Sequence, residues 1–123
     1  MNAYADDTRY LAKIELHTPA ELQDALLRAE ALAAEQSPQK PIAFVLHGEE
    51  AKSLLKSSYD MNKAMIDQAQ RLSQSHIIRL QVCQSWMMMN GVDENELPEF
   101  VDTVRFAPYT IHRLISRDGY TYF

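Results

Sequence analysis

The sequence predicts an α/β fold: a single-domain three-layer sandwich with a mostly parallel central sheet of about five strands and helices on both faces. Three observations predict it. Strand-like and helix-like runs alternate almost throughout, as βαβ units joined by right-handed crossovers require. Ile42-Ala43-Phe44-Val45-Leu46 is apolar at every position, which is how a strand covered on both faces of a parallel sheet reads. Thr18-Pro19-Ala20-Glu21 marks a helix start, with Thr18 as cap, Pro19 in the first helical position and Glu21 three residues after the cap.

The first run, Arg9 to His17, sets Ile14 and Leu16 against Lys13, Glu15 and His17, the alternation of a strand with one wet face near a sheet edge. The helix opened at Thr18 carries Leu22, Ala25, Leu26, Ala29, Leu32 and Ala33 at core-facing spacing and stops near Gln36, before Ser37-Pro38-Gln39-Lys40-Pro41. The apolar strand ends in His47-Gly48. A helical region follows from about Glu49 to Ser75, broken near Ser57-Ser58, with Met61, Met65, Ala69 and Leu72 on one face. Ile77 to Val82 forms the third strand and ends at Cys83. A short helical turn over Ser85 to Asn90 is closed by Gly91. Val101 to Phe106 is the fourth strand. Pro108 to Arg117 is the last helix, with Ile111, Leu114 and Ile115 inward, and Gly119 ends it. Tyr120-Thr121-Tyr122-Phe123 adds a terminal strand.

With 123 residues and 46% hydrophobic content, the chain suits one compact domain over residues 1–123, because two cores would leave each half too small. The single cysteine cannot form an intramolecular disulfide, so a reducing cytoplasm is the expected compartment. The start, Met1-Asn2-Ala3-Tyr4-Ala5-Asp6-Asp7, has no basic, apolar signal-peptide pattern, and no later run approaches the roughly 20 apolar residues of a membrane span. Twelve Lys and Arg against seventeen Asp and Glu give a net charge of −5. That balance argues against a nucleic-acid partner, which needs basic surface, and no basic amphipathic segment suits a membrane.

Ligands of open parallel sheets gather at the carboxyl ends of strands, here His47-Gly48, Cys83-Gln84-Ser85 and Ala107-Pro108-Tyr109. Cys83 lies where an apolar strand meets a polar turn. If a helical turn starts at Ser85, backbone N–H groups favour a thiolate there; free cysteine also serves as a small buried hydrophobe. His47 is the side chain at the neighbouring strand end able to act as a base or thiolate partner, or else it caps the strand through the backbone. Gly48 suits a tight turn that a helix or ligand approaches closely; no Walker or G-x-G-x-x-G pattern accompanies it, and no cofactor is expected. Trp86-Met87-Met88-Met89 cannot all point inward from one short turn, so some should meet another surface, a subunit interface or a lid. His17, His47, His76 and His112 lack ligand spacing, and no metal is expected. Asp93-Glu94-Asn95-Glu96 reads as a solvated acidic turn.

At the strand ends the chain resembles the DsrE/DsrF-like family of intracellular sulfur oxidation proteins. The residues that carry the resemblance are Phe44-Val45-Leu46-His47-Gly48, Leu80-Gln81-Val82-Cys83, Gly91-Val92 with Glu96-Leu97-Pro98, and Leu114 with Gly119-Tyr120 and Tyr122. The resemblance implies a DsrEFH-like α/β domain assembled into homo-oligomers, whether dimer, trimer or hexamer. It also implies that Cys83 accepts sulfur as a persulfide and passes it to a sulfur-carrier partner; His47, Gly48, Gln84, Ser85 and Trp86, at or beside the same strand ends, are the candidate binding residues around it. The family usually has glycine directly after the cysteine and often a basic residue soon afterwards; here stand Gln84 and Ser85-Trp86-Met87-Met88-Met89. Two functions are therefore expected in competition: a sulfur carrier or sulfurtransferase working through Cys83, and a non-catalytic oligomeric binding or scaffold protein in which Cys83 is inert.

Overall fold

The computed structural model describes residues 7–123. The N-terminal stretch read above for a signal peptide lies outside them, save for Asp7. Five strands, β1 (Arg9–Leu11), β2 (Ile42–Leu46), β3 (Ile78–Cys83), β4 (Val101–Val104) and β5 (Tyr120–Tyr122), form one sheet in the order β4-β3-β2-β1-β5. Every pairing in it is parallel. The helices are α1 (Pro19–Gln36), α2 (Glu49–Lys52), α3 (Lys63–Gln74), α4 (Gln84–Met89) and α5 (Ala107–Ser116). The α/β sandwich expected from the alternation is the one observed.

β2 is interior, between β3 and β1, and all five of its residues are buried. Alternate residues feed two cores. Ile42, Phe44 and Leu46 join Ile78, Leu80 and Val82 under α1, α2 and α3, while Ala43 and Val45 join Leu11, Cys83, Ala107 and Leu114 under α5. In α1, Leu22, Ala25, Leu26 and Ala29 are buried, and complete burial of a leucine contributes about 1.5–3 kcal/mol. Among the described residues α5 is the helix that supplies buried side chains to the second face, with Trp86 of α4 packed against it, so the sandwich is lopsided. No helix of the described residues is long and apolar enough to cross a membrane.

Several boundaries differ from expectation. β1 ends at Leu11, with one further bond from Ala12 N–H to the Ala43 carbonyl, rather than running to His17. The alternation over residues 13–17 belongs to a loop, and Leu16 is 77% exposed. α3 starts at Lys63 and leaves Met61 exposed before it, whereas Met65, Ala69 and Leu72 are buried as expected. β4 stops at Val104 and α5 begins at Ala107; its Leu114 faces inward, Ile111 is half-buried, and Ile115 turns outward at the rim of the apolar stripe.

The connections position the site. β3 leads into α4, whose Met87 joins the core under α1 and α3. β4 leads into α5 on the other face. The chain thus leaves two neighbouring strands in opposite directions, and the carboxyl ends of β3 and β4 frame the crevice in which open parallel sheets bind ligands.

Candidate functional site at the carboxyl edge of the sheet

Cys83 stands at that edge. It is the last residue of β3, pairs with Val104 of β4 and caps α4. Its Sγ accepts a hydrogen bond from Ala107 N–H, the first residue of α5, at 3.3 Å. An N–H donor at the start of a ten-residue helix stabilises negative charge on its acceptor. The thiol is only 3% exposed and packs in the apolar core under α5, where Trp86 and Ile111 lie against it. A neighbouring hollow of about 570 Å³ between β4 and α5 is lined by Val104, Arg105, Phe106, Tyr109, Thr110 and Arg113 and not by Cys83; its volume is in the range of small-ligand sites.

The three residues after the thiol tie the start of α4 to its surroundings. Gln84 Nε2 donates to Thr103 Oγ1 at 2.9 Å and to Glu94 Oε1 at 3.4 Å. Ser85 donates through both its backbone N–H and its hydroxyl to the Arg105 carbonyl. Trp86 is half-buried between the two cores. In α4, Met87 points inward while Met88 and Met89 are 81% and 85% exposed, so the apolar run does divide between core and surface.

A second, polar constellation lies at the ends of β1 and β2. Glu50, in the first turn of α2, has a fully buried side chain, yet it is satisfied. His17 Nδ1 lies 2.9 Å from Oε2 and 3.1 Å from Oε1, and His47 N–H donates to Oε2 at 3.1 Å. The rings of His17 and His47 are 4.4 Å apart at 56°. Burial, reinforced by neighbouring His17 and only partly opposed by Glu50, holds His47 below the ordinary histidine value. His47 therefore favours the neutral state. Among the described residues, no hydrogen bond joins it to Cys83.

His17 itself sits at φ 56°, a left-handed conformation that costs a non-glycine residue roughly 1–2 kcal/mol. Glu21 holds it there. Its carboxylate accepts from the backbone N–H groups of Glu15, Leu16 and His17 at 2.8, 2.9 and 2.8 Å. Burial acts to raise the Glu21 carboxyl, but these three bonds and the charge of His17 outweigh it and leave the group below its ordinary value. The expected capping box is thus half formed: Thr18 Oγ1 accepts from Glu21 N–H, while the Glu21 side chain serves the loop before the helix. Gly48 does provide a close approach, and the group that approaches is His17. A Cβ on Gly48 would lie 2.6 Å from His17 Cβ and 2.7 Å from Glu50 Oε1.

The architecture and its edge sites define a small, parallel, five-stranded α/β protein. It shares its fold with the protein of unknown function MTH1491 from Methanobacterium thermoautotrophicum, at a TM-score of 0.79 and 20% identity over 95% of this chain and 98% of that one. It is also similar in structure to the ychN protein from E. coli, at a TM-score of 0.61 and 15% identity over 96% and 99% of the two chains. No family model and no curated protein matches the sequence.

Proposed function

We propose that this is a cytoplasmic DsrE/DsrF-like protein that accepts and transfers sulfane sulfur as a persulfide on Cys83. The observation that carries the reading is the position of Sγ at the carboxyl end of β3, beside β4, with Ala107 N–H bonded to it. In loading, the Cys83 thiolate attacks the outer sulfur of a donor persulfide R–S–SH. The Sγ–S bond forms, the donor's S–S bond breaks, and its electron pair leaves with R–S⁻, so no external oxidant or reductant is needed. Onward transfer is the same exchange with an acceptor thiol. Trp86, packed against the core that holds Cys83, is the side chain whose displacement uncovers the sulfur. Self-association through exposed Met88 and Met89 belongs to the same reading.

One observation favours the second reading, an oligomeric binding or scaffold protein with an inert cysteine: the 3% exposure of Cys83. Incubation with glutathione persulfide followed by intact-protein mass spectrometry separates the two. Sulfur carriage predicts a gain of one sulfur atom, removed by a thiol reductant and missing in Cys83→Ala. A native protein that gains none while its denatured form does is the inert-cysteine protein.

A further inference from the structure

The connectivity leaves one flank of α5 without a neighbouring helix. α5 starts at the end of β4, on one edge of the sheet, and leads to β5 on the other edge, packing on β2 and β5. Among the described residues no other helix puts a buried side chain into this face, to which α4 adds half-buried Trp86. The core stripe of α5 is Ala107, Thr110 and Leu114. Phe106, Tyr109 and Arg113 follow the i, i+3, i+7 spacing of an adjoining stripe. With Val104, Arg105 and Thr110 they line the hollow of about 570 Å³ between β4 and α5.

Two properties coincide in that hollow. It is aromatic: Phe106 and Tyr109 are 52% and 59% exposed, and large rings left in water around a concavity mark a surface that binds something. It is also cationic, in a protein of net charge −5. Other hollows mix the two signs. The one beside α3 sets Lys56 against Glu99, and the one along β4 gathers Glu94, Glu99 and Asp102 around Lys56. This one carries Arg105 and Arg113 and no acid.

Both guanidinium groups have donors to spare. Arg105 is fixed through its backbone, whose carbonyl accepts from the N–H and hydroxyl of Ser85. Its side chain has no hydrogen bond or ion pair among the described residues. Arg113 meets Asp118 through Nε alone, at 3.8 Å, with both side chains partly exposed. Such a pair contributes little and leaves the terminal N–H groups of the guanidinium unused.

We propose that this hollow binds a small aromatic oxyanion, an aryl phosphate or aryl carboxylate, with its ring against Phe106 and Tyr109 and its oxyanion on Arg105 and Arg113. The planar guanidinium fork matches phosphate and carboxylate oxygens in pairs and also stacks on rings. The seven residues from Phe106 to Arg113 span roughly 10 Å of helix, the length of a bicyclic ring with an oxyanion attached. Rings alone would accept any apolar molecule, and guanidinium groups alone any anion; together they select a ligand that is both. Cys83 does not line the hollow, so the site does not rest on sulfur transfer.

The probes are naphthyl phosphate, naphthoate, naphthylmethanol and inorganic phosphate, titrated into the full chain. Binding is read by calorimetry and by the ring proton resonances of Phe106 and Tyr109. Both naphthyl anions should bind and shift both rings, and their relative affinities tell phosphate from carboxylate as the preferred group. Naphthylmethanol, which lacks the charge, and inorganic phosphate, which lacks the ring, should each bind at least about tenfold more weakly. Arg105→Gln and Arg113→Gln should each weaken the anions about tenfold and leave the alcohol unchanged. Arg113→Lys, which keeps the charge but not the fork, should fall between wild type and Arg113→Gln. Tyr109→Ser should narrow the gap between naphthyl and inorganic phosphate, while Lys56→Gln, in a different hollow, should change nothing. These side chains are exposed or partly so, and unchanged urea midpoints should show that each variant folds. Inorganic phosphate binding as tightly as naphthyl phosphate would reduce the hollow to a patch of positive charge. Naphthylmethanol binding as tightly as the anions would reduce it to an apolar surface. Either result overturns the inference. Failure of both anions to bind overturns it as well, and a lower mass of Arg105→Glu by light scattering would then identify a second copy of the chain as the occupant.

Discussion

The two ends of one sheet edge position their reactive groups by different physics. At β1 and β2 the groups are polar and hold one another. Buried Glu50 is satisfied by the His17 ring and the His47 backbone, and Glu21 gathers three N–H groups of the loop before α1. At β3 and β4 a sulfur atom is held by apolar packing and one backbone N–H. Hydrogen bonds fix a ring to within a narrow orientation but depend on charge state and on the volume around them. Packing fixes a position, depends little on pH, and hides the atom it holds. The polar end should therefore be the fragile one, and the apolar end the one that must open.

Crowding the polar end gives the largest expected loss of stability. Gly48→Ala places a methyl within 2.7 Å of both His17 and Glu50, so ring and carboxylate must separate. The cost should be about 2 kcal/mol, as for other overpacked sites, read as a lower urea midpoint at unchanged m-value. The His17 ring proton resonances should shift with it. An unchanged midpoint would mean that the loop before α1 moves aside freely, and the contrast between the two ends would vanish.

Acid should separate the ends next. Unfolded His47 takes up a proton near the ordinary value of 6.5, whereas folded His47, held lower by burial and by His17, does so only at more acid pH. Between those values the unfolded chain binds more protons, so stability falls as pH drops below about 6.5. Glu21, held below its ordinary 4.5, adds a further loss at pH values under that figure, because its unfolded form protonates first. His47→Gln should remove the upper step and keep the lower one in urea midpoints measured against pH. Cys83→Ala, at the apolar end, should keep both. A His47→Gln profile that still falls in the upper window would assign that slope to another group.

Much of this edge was legible in the residues. The all-apolar run of β2 and the Thr18-Pro19 helix start carry their own physics, so the interior position of β2, the start of α1 and the placement of His47 and Cys83 at strand ends followed. The His17–Glu50 pair did not, since the partners are 33 residues apart and His17 sits in an alternation that imitates a strand. A signal was present in Glu50 itself: the second residue of a helix that directly follows a fully apolar strand lies over the sheet edge, where an acid needs a partner. Glu21 was noticed for its spacing from Thr18, but spacing could not reveal that its carboxylate turns back to the preceding loop. Met61 and Ile115 show the limit of periodicity. The helix after Met61 begins two residues later, and Ile115 lies at the rim of its stripe.

The smallest expected change in stability comes from the surface of α4, and it bears on what covers the apolar end. Trp86 supports both cores, so changing it would confuse assembly with folding. Met88 and Met89 belong to neither core and are 81% and 85% exposed, so converting both to lysine should alter stability by no more than about 0.5 kcal/mol. If the methionines meet a second copy of the chain, light scattering across a dilution series should give the wild type a multiple of 14.1 kDa and the double variant a smaller multiple or a monomer. The variant should also alkylate at Cys83 faster, because α4 begins at that residue and a subunit seated on its outer face restrains the Trp86 swing. A wild type that is monomeric at every concentration would leave Met88 and Met89 without a partner copy and make them the rim of a crevice that opens in the single chain.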